Sequence, residues 1–313
     1  PDPRELISDN FEPMSQDEVI LGYERMVGAA WSVGVQGVAR RFNQVIEDYT
    51  INQGLEVVYG VETDQPQYRI GNPGSSFAGW YDLDGDGVLD RIELSAQDLG
   101  YPEAERRYYA VELSVNRRFS DNWMLRGSYT WSHLYGNYEG YTNSDINQSD
   151  PGVTQTFDFP ALLDYASGDL PNDRRHALKA YGSYTWDSGF QLGGNLFYRT
   201  GRPINSFGLH PTDEFARSYG PDSFYTGGEP RPRGCCGRTD DVWSFDLMGG
   251  YRFPLGALDL VLRVDIFNVF DTDAVTEIEE RAEDDAGAPS PWYGEAVAHQ
   301  IPRRVRLGFS VSF

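Results

Sequence analysis

The sequence is poor in the features that would make it a helical membrane protein, a nucleic-acid binder or a complete exported precursor. No run approaches the roughly 18 consecutive apolar residues a spanning helix needs, which excludes a helical membrane protein. Positive charge is scarce: Lys+Arg 26 against Asp+Glu 48 leaves a net charge of −22. Nucleic-acid binding needs cations to neutralise phosphates, so that class is excluded as well. Only two cysteines occur, adjacent at Cys235 and Cys236, too few to identify a redox compartment. The chain opens Pro1-Asp2-Pro3-Arg4, with no basic n-region, apolar core or cleavage site. The expectation is that the numbering starts inside a longer chain.

What is present favours strands. Aromatics make up 14% of the residues and glycine stands at 34, a pairing that suits strands and turns better than helices. In the last run Val305, Leu307, Phe309, Val311 and Phe313 alternate with Arg304, Arg306, Gly308, Ser310 and Ser312, giving one apolar and one polar face. Leu258, Leu260, Leu262, Val264 and Ile266 alternate in the same way with Asp259, Arg263 and Asp265. Trp243, Phe245, Leu247, Tyr251 and Phe253 oppose Ser244, Asp246 and Arg252. Similar runs lie at 192–199, 178–186, 123–131 and 109–115, with weaker ones at 31–42 and 19–26. The pattern predicts about nine strands of roughly 10 to 14 residues, near the length a tilted strand needs to cross a bilayer. Tyr and Trp recur near the ends of the apolar faces, as in aromatic girdles.

Short turns at Phe119–Asn122, Asp187–Gly189, Pro254–Gly256 and near Gly28 alternate with long polar segments at about 43–106, 137–173, 202–241 and 271–302. Structureless loops of that length are uncommon in compact soluble domains. Short turns at one rim and long loops at the other are the layout of an outer-membrane barrel. Counting back from a periplasmic C-terminus puts every long loop outside. The mean hydropathy of −0.52 agrees, because lumen-facing residues dilute the apolar ones. The fold class expected is all-β: an antiparallel transmembrane β-barrel of which residues 1–313 are the C-terminal portion. An odd strand count starting in a loop does not close by itself, and an open edge in lipid leaves backbone groups unpaired. Further strands are expected upstream.

Several stretches, in this order and at these strand positions, resemble TonB-dependent outer-membrane receptors, in particular the Oar-like group. They are Asp17–Glu24, Gly127–Ser132, Leu170–His176, Tyr198–Pro203, Phe267–Asp271 and Val311–Phe313. The resemblance covers nearly the whole chain. It implies a barrel of about 22 strands with a plugged lumen, whose plug and TonB-contacting box lie N-terminal to what is seen here. It also implies energised uptake of a scarce ligand, or handling of a larger peptide or protein, in partnership with the TonB complex, outer-membrane lipid and lipopolysaccharide. Phe309, Val311 and Phe313 look like the signal read by barrel assembly machinery; the alternative is an ordinary last strand.

Within the first long loop, Asp82–Glu93 fits the twelve-position calcium loop: Asp82, Asp84, Asp86, Asp90 and Glu93 at positions 1, 3, 5, 9 and 12, Gly87 at 6 and the Val88 carbonyl at 7. Helical flanks are missing, so the reading is a structural Ca²⁺ site inside an extracellular loop; the alternative is an acidic turn with no ion. Cys235 and Cys236 allow a vicinal disulfide, free thiols or a metal site, the last disfavoured without a neighbouring histidine. Among His133, His176, His210 and His299, the first two fall near the outer rim with Ser132, Asp173 and Ser183 available, but catalysis is not expected. Arg174, Arg175, Asp240 and Asp241 are assigned to the rim, with a ligand contact there as the alternative. Glu112, Asn116, Arg126, Lys179, Arg199, Asp246, Arg263, Asp265, Arg304 and Arg306 are expected to face the lumen and to pair with the plug and one another; the alternatives are direct substrate contact or, in a porin, tuning of ion selectivity. Most of the acid, crowded into 82–98, 145–173 and 277–285, is expected to be solvated loop surface. Competing readings are a passive porin or adhesin barrel and, more distantly, a secreted soluble calcium-binding β protein. No substrate is legible.

Overall fold

The structure, a computed structural model, describes residues 3–146, 148, 154–256 and 258–312. Nine long strands form one antiparallel meander: β1 (Ser15–Val27), β2 (Trp31–Gln44), β3 (Arg106–Ser120), β4 (Trp123–Gly136), β5 (His176–Thr185), β6 (Phe190–Arg199), β7 (Val242–Leu255), β8 (Leu258–Phe267) and β9 (Arg304–Ser312). Each pairs with its sequence neighbours, and a two-residue strand at Gly168–Asp169 extends the sheet beside β4. Among the described residues β1 and β9 are the edges. All nine strands coincide with the alternating runs in the sequence.

Turn chemistry explains why hairpins close at one end. Asp121 and Asn122 both take positive φ, 50° and 70°, as the two-residue turn between twisted strands demands. Gly28, Gly189 and Gly256 supply the positive φ at the other three short turns.

The register sorts side chains onto two faces. One face carries Leu21, Val35, Leu113, Leu262, Leu307 and Phe309, all exposed. A continuous apolar surface of this extent is untenable in water but is satisfied by lipid. Aromatics band both ends of it. Near the short turns Trp31 and Trp123 meet edge-on at 5.7 Å, Tyr184, Trp186 and Phe190 stack in series, and Tyr251 packs on Phe253. Arg117 lies over the Trp123 ring at 3.8 Å, its guanidinium bonded to the Ser120 carbonyl at 2.6 Å. Toward the other rim Trp243 packs against Phe270, and Tyr129 against His176.

The long loops depart from expectation. They are not structureless: Val45, Tyr49, Ile51, Leu55, Phe77, Ile92, Leu94, Leu99, Tyr138, Phe157, Phe207 and Phe224 form one hydrophobic core contributed by three different loops. The loops thus fold into a cap at the rim opposite the short turns. The expectation of solvated acid fails for part of the set, because Asp145, Asp158, Asp173, Glu280 and Glu283 are buried; Glu47, outside those stretches, is buried too. No helix among the described residues is long and apolar enough to cross a membrane. Phe309 and Val311 lie exposed on β9; Phe313 lies outside the described residues.

Candidate functional site: the lumen face and its capped mouth

Among the described residues, cavities open on the polar face of the sheet. One, of about 320 Å³, lies between Tyr181, Asn195, Asp246, Arg263 and Asp265. A second, of about 720 Å³, is bordered by Asn116, Arg126, Lys179, Tyr181 and Phe197. A third, of about 390 Å³, sits at the mouth with Arg199, Asp246, Phe267, His299 and Arg304. Glu112 falls on the same face, opposite Gln36 and Thr130. The expected lumen set therefore shares one face. Some of it pairs internally: Arg263 and Arg306 both hold Asp265, at 2.7 and 2.9 Å, and Arg126 donates to Asn116 at 3.0 Å. Asp246 accepts from Asn195 at 3.1 Å and from the Asn268 backbone at 2.9 Å.

At the rim, the stretch Leu170–His176 gathers a charge network. Asp173 is fully buried; it accepts from the Leu134 N–H at 2.7 Å and from Arg175 at 2.9 Å, and it is also paired with Arg238. Asp169 takes Arg175 on both oxygens, His133 Nε2 at 2.9 Å and Arg238 at 3.1 Å. A second, more deeply buried cluster joins three loops: Arg233 to Asp145, and Arg202 to Glu280 and, at 3.0 Å, to Glu277. Buried pairs of this kind hold only when geometry and hydrogen bonding are nearly complete. Arg233 meets that condition by donating also to the Ala166 carbonyl at 2.6 Å and stacking on Phe224. Close approach is needed here too: a Cβ on Gly201 would fall 1.8 Å from the Thr239 carbonyl.

Asp241 bonds Tyr198 at 2.7 Å and Asp240 bonds the Val275 N–H at 2.9 Å, so both are structural members of the rim. The histidines do not assemble a nucleophilic triad. Ser132 donates to the Arg174 carbonyl, His133 contacts Asp169, and His176 pairs with the Tyr129 hydroxyl. His210 is buried and accepts from the Asp213 N–H at 2.8 Å, while His299 meets the Asp273 carbonyl at 3.2 Å.

The acidic loop is the tip of a hairpin, Phe77–Tyr81 paired with Asp90–Leu94, anchored in the cap core by Phe77, Ile92 and Leu94. Carboxylate oxygens of Asp82, Asp84 and Asp86 lie within 4.8 Å of one another. Asp82 accepts from the Gly85 and Gly87 N–H groups at 2.8 and 2.9 Å, and Gly87 takes φ 84°. The Val88 N–H donates to Asp86 at 2.7 Å, and Asp90 contacts the Leu83 N–H at 3.4 Å. Glu93 is not brought to this group. It sits on the strand opposite Ala78, exposed, with Arg91 at 3.7 Å. A helix would turn the twelfth position back over the loop; three residues of strand carry it about 10 Å away. Cys235 and Cys236 are paired as a vicinal disulfide between Gly234 and Gly237, both at positive φ.

The cap also holds carboxylates in unusual states. Burial, reinforced by neighbouring Asp48 and Asp158, pushes Glu47 up to about 7 despite its bond from Thr154. Burial likewise raises Asp158 to about 7, against the Tyr219 hydroxyl at 2.6 Å. Both groups hold their protons more tightly in the folded cap than in the ordinary state at 4.5 and 3.8. Their contribution to stability is full below about pH 4 and is lost as pH rises toward 7. Cap resistance to a broad-specificity protease is expected to decline between pH 4.5 and 7 and then level off. Glu47→Gln should flatten that slope; an unchanged slope would rule Glu47 out as its source.

A lipid-facing antiparallel meander, a polar concave side and a folded cap at one rim define an integral outer-membrane β-barrel. In agreement, a family model described as outer membrane beta barrel domain matches residues 5–207. The chain belongs to that family, and its place is the outer membrane. It is 29% identical over 306 residues to the TonB-dependent transporter Oar of Myxococcus xanthus, covering 96% of this chain and 25% of that protein. It therefore spans about a quarter of the relative's length. Among solved structures it is similar to the ferric-catecholate import receptor Fiu of E. coli K12, with 15% identity and a TM-score of 0.48, covering 96% of this chain and 28% of that one. It is also similar to the ferripyoverdine receptor of Pseudomonas aeruginosa, with 12% identity and a TM-score of 0.49, covering 96% and 27%.

Proposed function

We propose that this chain forms the C-terminal part of a TonB-dependent transporter that carries a scarce ligand across the outer membrane. The observation that supports this best is the cap: a passive pore needs an open mouth, whereas here three long loops share one hydrophobic core above a polar lumen. The likeness to a TonB-dependent transporter over nearly all of this chain points the same way. In this reading the two free sheet edges are closed by further strands of the same polypeptide, because open edges in lipid leave several kcal/mol per group unsatisfied. The TonB complex acts through a segment outside these residues, lipopolysaccharide surrounds the rim, and Phe309 and Val311 present the last strand to the assembly machinery. The relative matched over most of this chain is a transporter, and no catalytic role is proposed. The test compares the medium depleted by wild-type cells, by cells lacking this gene and by cells lacking TonB. The same solutes should be left behind by both mutants. Depletion that persists without TonB or the proton-motive force would favour the passive barrel instead.

The same reading gives the hairpin tip 82–89 a structural calcium ion, held by Asp82, Asp84 and Asp86 with the Val88 carbonyl and Asp90 in support. Three carboxylates this close repel one another unless a cation lies between them. Trp80 and Tyr81 adjoin the loop and should sensitise Tb³⁺ emission that Ca²⁺ displaces. Asp82→Asn with Asp86→Asn should weaken binding on the order of a hundredfold. Glu93→Gln should change it little, in contrast to a helix-flanked loop; no sensitised emission from the wild type would remove the ion. The Cys235–Cys236 disulfide stiffens the tip of its loop, and thiol labelling before and after reduction checks it.

A further inference from the structure

We propose that Arg199, with Arg174 beside it, forms an oxyanion-binding subsite at the top of the lumen that takes a carboxylate or phosphate group of the transported ligand. The proposal rests on the transport reading and adds the chemical class of the ligand.

Four arginines converge at this corner of the mouth: Arg174, Arg199, Arg202 and Arg238. Two are neutralised, Arg202 by Glu277 and Glu280 and Arg238 by Asp169 and Asp173. The other two are not. Arg174 donates once, to the Thr200 carbonyl at 3.2 Å. Arg199 lies at 5.8 Å over the Phe197 ring, and its enclosed Nε has no hydrogen-bond partner. Among the described residues neither forms an ion pair. Burial first, then the charges of Arg199, Arg202 and Arg238, push the Arg174 guanidinium down to about 10, with Glu277 opposing them in part.

Arg199 lines the mouth cavity of about 390 Å³, a volume in the range of small-molecule sites. Phe197, Phe267 and Ile301 supply apolar wall, and Arg304 adds a further cation from β9. The acid at this site, Asp246, is already engaged by Asn195 and the Asn268 N–H. Gln300 contributes an enclosed amide oxygen with no donor, its nitrogen being given to the Trp243 carbonyl at 2.7 Å. The site therefore offers a planar guanidinium fork for two oxygens and one acceptor for a hydroxyl or N–H on the same molecule. A half-enclosed guanidinium without a counter-charge is costly to maintain, and an arriving oxyanion relieves that cost. Lysine would not replace it, since a point charge lacks the fork.

The test is equilibrium dialysis of the protein purified from outer membranes against citrate and, separately, inorganic phosphate. The wild type should bind at least one of these probes. Arg199→Gln should weaken that binding about tenfold or more, with Arg199→Lys in between. Arg252→Gln, which removes the partner of Asp259 near the short turns, should leave it unchanged. Heat-modifiable electrophoretic mobility verifies that each variant is folded. If neither probe binds the wild type, as when a carboxylate of the same polypeptide already occupies the guanidinium, or if Arg199→Gln binds as the wild type does, the subsite is overturned. TonB-dependent uptake without probe binding would remove the subsite and leave transport standing; probe binding without TonB-dependent uptake would do the reverse.

Discussion

Replacing Leu262 by arginine is expected to cost the folded barrel about 2–4 kcal/mol, the penalty for a cation at mid-depth on the lipid face of a strand. Leu262 lies in the middle of β8, exposed, between Tyr251 on β7 and Phe309 on β9. Its neighbour Val261 sits at the same depth but on the other face, opposite Arg252 and Ser310. Val261→Arg should therefore cost far less, because its guanidinium reaches the polar interior. The comparison is read by urea unfolding in lipid vesicles, followed by tryptophan emission. In a soluble β protein with this sheet the costs would not depend on lipid: Leu262 would tolerate arginine on a hydrated surface or lose packing in a core. Equal costs for the two substitutions would contradict the assignment of faces.

The second large effect is expected at Asp173. This carboxylate has no exposed surface, and it binds Arg175, Arg238 and the Leu134 N–H together. Asp173→Ala leaves a buried backbone donor without an acceptor and removes one of the two carboxylates that neutralise the arginines. Breaking a buried pair costs roughly 3–5 kcal/mol when the remaining charge has no other partner. Here Asp169 still holds both arginines, so a loss of about 3 kcal/mol is expected, including the orphaned N–H. Asp169→Ala should cost less, since Asp169 is partly exposed and Asp173 remains. The readout is the unfolding midpoint together with protease cleavage between β4 and β5, which the network ties down. If Asp169→Ala proved the more damaging of the two, the central role would pass to the outer carboxylate.

The corrections share one cause. The acid of 145–173 and 277–285 reads as solvated loop from composition, yet Asp145 and Glu280 are among the least exposed side chains, held by Arg233 and Arg202 from a different loop. Nothing local to Glu280 announces Arg202, because 78 positions separate them in the chain (280 − 202). Glu93 shows the same limit at short range. Its spacing matches a calcium loop, but the spacing presumes a helix after the loop, and the pairing of Asp90–Leu94 with Phe77–Tyr81 makes that segment a strand.

Alternation along each strand was legible in the residues themselves, because a period of two is a local property of extended backbone and its apolar half must find lipid or a core. Turn positions were legible for a similar reason: Gly28, Asn122, Gly189 and Gly256 announce backbone that curls within a few residues. The class of protein follows from those two features. What only the tertiary structure decided is everything that depends on loops meeting one another: the cap core, the buried acids and their protons, and an Arg199 guanidinium that forms no ion pair among the described residues. Such contacts join residues far apart in the chain, and each one's chemistry is set by a neighbour that its own sequence context does not name.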